Sequence, residues 1–133
     1  MAHGDDSEFQ RSRPRTRRPR RVPPGGVEAA ALDYLRRFDV PERKLRDHLR
    51  AKVRRSAEAH GDDVTALLDE VEAVMARLLA RRFVDDGRHA EARATALLAR
   101  GVPPLAVRTR LRNAGVAASS IEAAIAAWRD AHP

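Results

Sequence analysis

Residues Leu78–Ile125 read LLARRFVDDGRHAEARATALLARGVPPLAVRTRLRNAGVAASSIEAAI. An apolar helix end runs into the paired carboxylates Asp85 and Asp86. Arg88 and Ala90 follow, then an alanine-rich run up to Gly101. Pro103 and Pro104 open a shorter run that ends in L-x-x-x-G-V at Leu111–Val116, and a last run begins near Ile121. Aspartate before a helix-forming run supplies a side-chain cap, and glycine after one supplies the left-handed exit. Proline is tolerated in a first helical turn because its missing N–H has no partner there in any case. The punctuation therefore predicts three short helices, starting after Asp85, at Pro103-Pro104 and near Ser119-Ser120. Ile121, Ala124, Ile125 and Trp128 form the inward stripe of the last.

Toward the N-terminus the same periodicity continues. Leu67, Leu68, Val71, Val74, Met75, Leu78 and Leu79 mark one face of a helix from Val64 to about Arg82, with Gly61-Asp62-Asp63 before it. Leu45, Leu49 and Val53 mark a helix opened by Pro41 and ending near Ala59. Ala31, Leu32, Leu35 and Phe38 mark a helix from Val27 to about Phe38. Alanine is abundant and β-branched residues do not alternate, so the expected fold is all-α with six helices in two sets of three. The two sets share little literal sequence, and identity alone demonstrates no internal repeat. The expected division is residues 1–26 as a disordered Arg/Pro-rich arm, 27–82 as the first three-helix unit and 83–133 as the second.

The chain has 133 residues, a net charge of +7 and no cysteine. Disulfides and thiolate metal sites are thereby excluded, and a reducing compartment is compatible. No apolar run is long enough to span a bilayer, and no apolar leader is present near Met1. Residues 1–25 hold seven arginines (Arg11, Arg13, Arg15, Arg17, Arg18, Arg20 and Arg21) against three carboxylates, so they carry more than half of the excess charge. The prolines at 14, 19, 23 and 24 forbid a continuous helix there. Such an arm either solubilises the chain or contacts nucleic-acid phosphates without reading sequence. With one Trp, one Tyr and three Phe, stacking on bases is not expected to be the main mode.

No catalytic constellation emerges. Asp85, Asp86, His89 and Glu91 lie close together in sequence, but two carboxylates at a helix start are better used on the helix N–H groups than on a metal. The histidines at 3, 48, 60, 89 and 132 form no ligand-spaced pair, and no phosphate-binding or dinucleotide loop is present. No cofactor, no metal and no enzymatic activity are expected. The helix at 42–59 carries seven basic residues, and Arg108, Arg110 and Arg112 surround Val107 and Leu111. These are either solvated faces or a stripe for a polyanion or an acidic surface. The last two helices have the spacing of a helix-turn-helix. However, SIEAAIAAW at Ser120–Trp128 offers no Arg, Lys, Asn or Gln to read base edges.

The opening stretch resembles one repeat of the RecX family, regulators that bind and restrain the RecA recombinase. Asp85, Asp86, Arg88 and Ala90 match the family's paired aspartate, Arg and Ala, with His89 where an aromatic is usual. Gly101, Val107, Leu111, Gly115 and Val116 match the pattern that follows. Ala31–Arg37 reads A-L-D-Y-L-R-R, similar to A-L-x-Y-L-x-R, and Leu45–Leu49 reads L-R-D-H-L where the family has L-R-x-x-L. The segments RPRRV, YLRRF and HGDD look most like alphaproteobacterial members. The resemblance implies tandem three-helix repeats, two where three are usual, in an elongated curved body. It further implies a cytoplasmic monomer that binds the groove of the RecA–DNA filament. There it would inhibit RecA ATPase and strand exchange in recombination, repair and the SOS response. The residues expected to make contact are Arg36, Arg37, Lys44, Arg46, Arg50, Arg88, Arg108 and Arg112. The rival reading is a basic helical protein that binds single- or double-stranded DNA non-specifically.

Overall fold

The computed structural model describes residues 18–133. Among them are six α-helices and no strands: α1 Val27–Arg37, α2 Glu42–His60, α3 Val64–Ala80, α4 Asp86–Ala99, α5 Pro104–Asn113 and α6 Ala118–Ala131. The helices pack as two sets. α1, α2 and α3 pack on one another, as do α4, α5 and α6. Each set has its own core. The first gathers Val27, Ala31, Leu45, Leu49, Val53, Leu67, Val71, Val74, Met75 and Leu78, and the second Ala90, Ala94, Leu97, Val107, Leu111, Ile121 and Ile125. Fully burying each large aliphatic contributes roughly 1.5–3 kcal/mol, so the α3 stripe is the largest local source of stability.

The helix ends follow the local chemistry. Asp63 caps α3 by accepting from Thr65 N at 3.0 Å and Ala66 N at 3.3 Å, and Asp85 caps α4 by accepting from Arg88 N at 3.0 Å. Hydrogen bonding to Arg88 N, with help from Arg82 and Arg88, holds the Asp85 carboxyl below its ordinary range. Pro41 lies one position earlier than the first helical turn, as the N-cap of α2. Three helices end in one motif. Phe83 N donates to Leu78 O at 2.9 Å after α3, Val102 N to Leu97 O at 3.1 Å after α4, and Val116 N to Leu111 O at 3.0 Å after α5. Each places the intervening residue in the left-handed region that the motif requires. Gly101 and Gly115 occupy it at φ 89° and 94°, but after α3 the residue is Arg82 at φ 58°. Without a glycine to signal it, the left-handed turn at Arg82 was not legible in the sequence, although the helix end near it was.

Two expectations are corrected. Phe38 does not extend the α1 stripe. The helix stops at Arg37, Phe38 turns extended at φ −136° and ψ 130°, and the residue is 48% exposed. The arm also does not run to residue 26. From residue 18 the chain is laid on the first set of helices. Val22 is buried and its N–H donates to the buried Ser56 hydroxyl at 2.7 Å. The Glu70 carboxylate accepts from Gly25 N at 2.9 Å and Val27 N at 3.1 Å, thereby satisfying an N-terminal N–H of α1 from a neighbouring helix. Arg21 forms a two-pronged pair with Asp62, at 2.7 and 2.9 Å. Arg11, Arg13, Arg15 and Arg17 lie outside the described residues.

Candidate cationic interface

The two sets of helices are joined through Asp86 and His89. Asp86, the first residue of α4, sends Oδ1 to Glu42 N at the start of α2 (2.7 Å) and Oδ2 to Ala117 N at the start of α6 (3.3 Å). One carboxylate thus faces the N-terminal ends of two other helices, where negative charge is favoured. His89 is 6% exposed, and its Nδ1 lies 3.0 Å from Oδ2 of Asp39 in the α1–α2 turn. The stem of Arg43 lies over Gly115, where an added Cβ would meet Arg43 Cβ at 3.6 Å. Read in sequence, Asp85 and Asp86 looked like equivalent helix-start residues. In the fold Asp85 caps its own helix and Asp86 ties together the two halves.

The eight cations singled out from the sequence differ in how they are paired. Arg36 and Arg37 share Asp33, at 2.8 and 3.1 Å, and these partners hold its carboxyl below the usual range. Arg46 bridges Glu42 at 2.9 Å and Glu72 at 3.1 Å. Arg108 grips Glu122 with both prongs, at 2.7 and 3.0 Å, which raises the guanidinium pKa and lowers that of Glu122. Arg88 donates to Arg82 O at 3.3 Å. Lys44, Arg50 and Arg112 have no ion-pair partner among the described residues. Lys44 shares a shallow depression with Arg43, Asp47, Asn113 and Gly115, where α2 meets the end of α5. Arg50 shares another with Arg46, Leu68, Asp69 and Glu72. Of the arm cations, Arg18 donates to Ala59 O and Arg21 is held by Asp62, while Arg20 is exposed.

Among the described residues no group of three or more His, Asp or Glu is placed to hold a metal ion. No described helix is long and apolar enough to cross a membrane. Two groups of residues were missed in the sequence: the Ser56–Val22 and Glu70–Gly25 contacts that hold residues 18–26, and an aromatic cluster. Tyr34 stacks on His48 at 3.8 Å and meets Phe38 at 4.9 Å between ring centroids. The i, i+4 spacing of Tyr34 and Phe38 was a usable signal for part of that cluster.

The fold and surface define a class: an all-α protein of two three-helix sets, tied at a carboxylate joint, with cations distributed over its outside. No family model and no solved structure matches the chain. It is similar to the regulatory protein RecX of Myxococcus xanthus (strain DK1622), with 32% identity over 123 residues, 92% of this chain. The chain spans 64% of that protein's length. Together with the ordered motifs from Ala31 to Val116, this similarity supports the chain as a member of the RecX family.

Proposed function

We propose that this chain is a cytoplasmic regulator of RecA that binds the RecA–DNA filament and restrains its ATPase and strand exchange, without chemistry of its own. The observation that carries the reading is the 32% identity to a RecX regulatory protein across 92% of the chain. The surface is compatible with it. Lys44, Arg50 and Arg112 stand without internal partners among the described residues, so engaging an anionic surface costs them no existing ion pair. Arg46 and Arg108 must first leave carboxylates, which makes them weaker candidates. A ligand that favours one filament state shifts the filament toward it by its differential affinity, so a rigid helical body needs no active site to inhibit.

The test is inhibition of RecA ATPase on single-stranded DNA by the chain carrying Lys44→Glu, Arg50→Glu and Arg112→Glu, with folding checked by circular dichroism. Loss of inhibition with native helicity is expected. Undiminished inhibition would remove these three residues from the interface. The rival, a non-specific nucleic-acid binder, is favoured by the net charge of +7. It requires a steep salt dependence on naked DNA and no need for RecA.

A further inference from the structure

Phe38, Tyr34 and His48 assemble an aromatic platform that the regulatory reading does not use, and of the three only Tyr34 is a family-motif position. Phe38 is half exposed at the end of α1. Tyr34, one turn earlier, tilts against it and lies nearly parallel to His48 of α2, with 18° between the planes. Cations surround the platform. The Arg37 guanidinium carbon lies 5.8 Å from the Phe38 centroid. Lys52 and Arg55 follow His48 by four and seven residues on α2, which places them on the same face over about 10 Å of helix. The field of Lys52, Arg55 and Arg37 reaches His48. Together with the larger effect of partial burial, it lowers the imidazole pKa and keeps the ring neutral near pH 7. The nearby carboxylate, Asp33, is already shared by Arg36 and Arg37.

We infer that this patch, with Phe38 at its centre and Lys52 and Arg55 on its flank, is a binding site for single-stranded nucleic acid. An unpaired base would stack on the exposed Phe38 face, and its neighbouring phosphates would meet Lys52 and Arg55. The chemistry selects the ligand. An exposed ring edged by cations offers a π-face and positive charge together, and an unstacked base with its phosphates is complementary to both. A duplex keeps its base faces stacked and presents only phosphates to such a surface. A duplex would therefore use the cations and leave the ring idle. This site goes beyond RecA regulation and does not depend on it.

The experiment is fluorescence anisotropy of a labelled oligodeoxythymidine and of a duplex of equal length, with the full chain and no RecA. Three variants are compared: Phe38→Ala, Phe38→Trp and the double Lys52→Glu/Arg55→Glu. Phe38 is exposed, so its substitution leaves the core intact; helicity verifies this. Phe38→Ala is expected to weaken the single strand roughly tenfold while the duplex is unchanged, and Phe38→Trp to restore binding. The double variant is expected to weaken both ligands and flatten the salt dependence. Native affinity in both Phe38→Ala and the double variant overturns the site. If those same variants also abolish RecA inhibition, the patch takes an acidic protein surface instead. Equal loss on single strand and duplex in Phe38→Ala overturns the stacking contact. Because RecA is absent from the binding assay, failure of the regulatory proposal is read separately, in the ATPase rate.

Discussion

Replacing Asp86 with alanine removes both contacts of the carboxylate that joins the two sets of helices. The Glu42 N bond at 2.7 Å is short and charge-assisted, and the Ala117 N bond at 3.3 Å is longer and weaker. A hydrogen bond to a charged group is worth roughly 1.5–3 kcal/mol, and a lost N-terminal cap about 1 kcal/mol. Asp86 is partly solvated, so the lower end applies to both, roughly 1.5 kcal/mol for the bond and roughly 0.5 kcal/mol for the cap, and the sum is about 2 kcal/mol. For a folded unit of this size the melting temperature should fall by roughly 8 °C. The change should also alter cooperativity. The two cores share no residues, so their coupling depends on the joint. Calorimetry on Asp86→Ala is expected to show a van't Hoff enthalpy below the calorimetric one, because the halves begin to melt separately. Asp86→Asn keeps one acceptor oxygen and should lose about half as much stability. A single unshifted two-state transition in Asp86→Ala would refute the joint.

Ser56→Ala leaves the buried Val22 N–H without its partner and should cost about 1–3 kcal/mol. Hydrogen exchange should show faster exchange at residues 18–26, and unchanged protection would count against the contact. Arg82→Gly relieves a left-handed residue at φ 58° and should stabilise by roughly 0.5–1 kcal/mol, read as a small rise in melting temperature. The Arg82–Asp85 contact at 3.7 Å, with Arg82 largely exposed, is too loose to reverse that sign. Stability should fall on acidification in two stages. His48 has a folded pKa below the ordinary 6.5, so the unfolded chain takes up that proton first and stability declines as pH drops through 6.5. Asp33, Asp62, Asp85 and Glu122 have folded values below their ordinary 3.8 and 4.5. Their stabilisation is complete above that range and disappears as pH falls through and below it. A melting temperature that is flat or rising from pH 7 to 3 would contradict both stages.

What the sequence disclosed and what it concealed divide along sequence separation. The stripes of α2 and α3, the cap at Asp85 and the glycine endings at Gly101 and Gly115 are set by neighbours within a few residues, and all were legible. The hidden features are long-range. Val22 meets Ser56 across 34 residues, Gly25 meets Glu70 across 45, and Asp86 meets Glu42 across 44. Val22 offered no periodicity among prolines and arginines, so residues 18–26 looked unfolded. Phe38 fitted the α1 stripe by spacing, but α1 ends one residue earlier, and a period cannot place a side chain beyond its helix. Among the expected interface cations, charge was visible but pairing was not: nothing local shows that Arg108 is held by Glu122 or Arg46 by Glu72. His89, an oddity among the family motifs, is buried against Asp39, a partner 50 residues away.

The central claim is regulation of RecA by the helical body. Its most direct test is the RecA ATPase rate on single-stranded DNA at physiological salt, titrated with the full chain and with a version starting at residue 18. The cut belongs there because Val22, Gly25 and Val27 are tied to Ser56 and Glu70, and a deeper truncation would open the first core. Inhibition well below stoichiometric RecA, retained without residues 1–17, is the expected result. No inhibition, or inhibition only when the chain is abundant enough to coat the DNA, would contradict it.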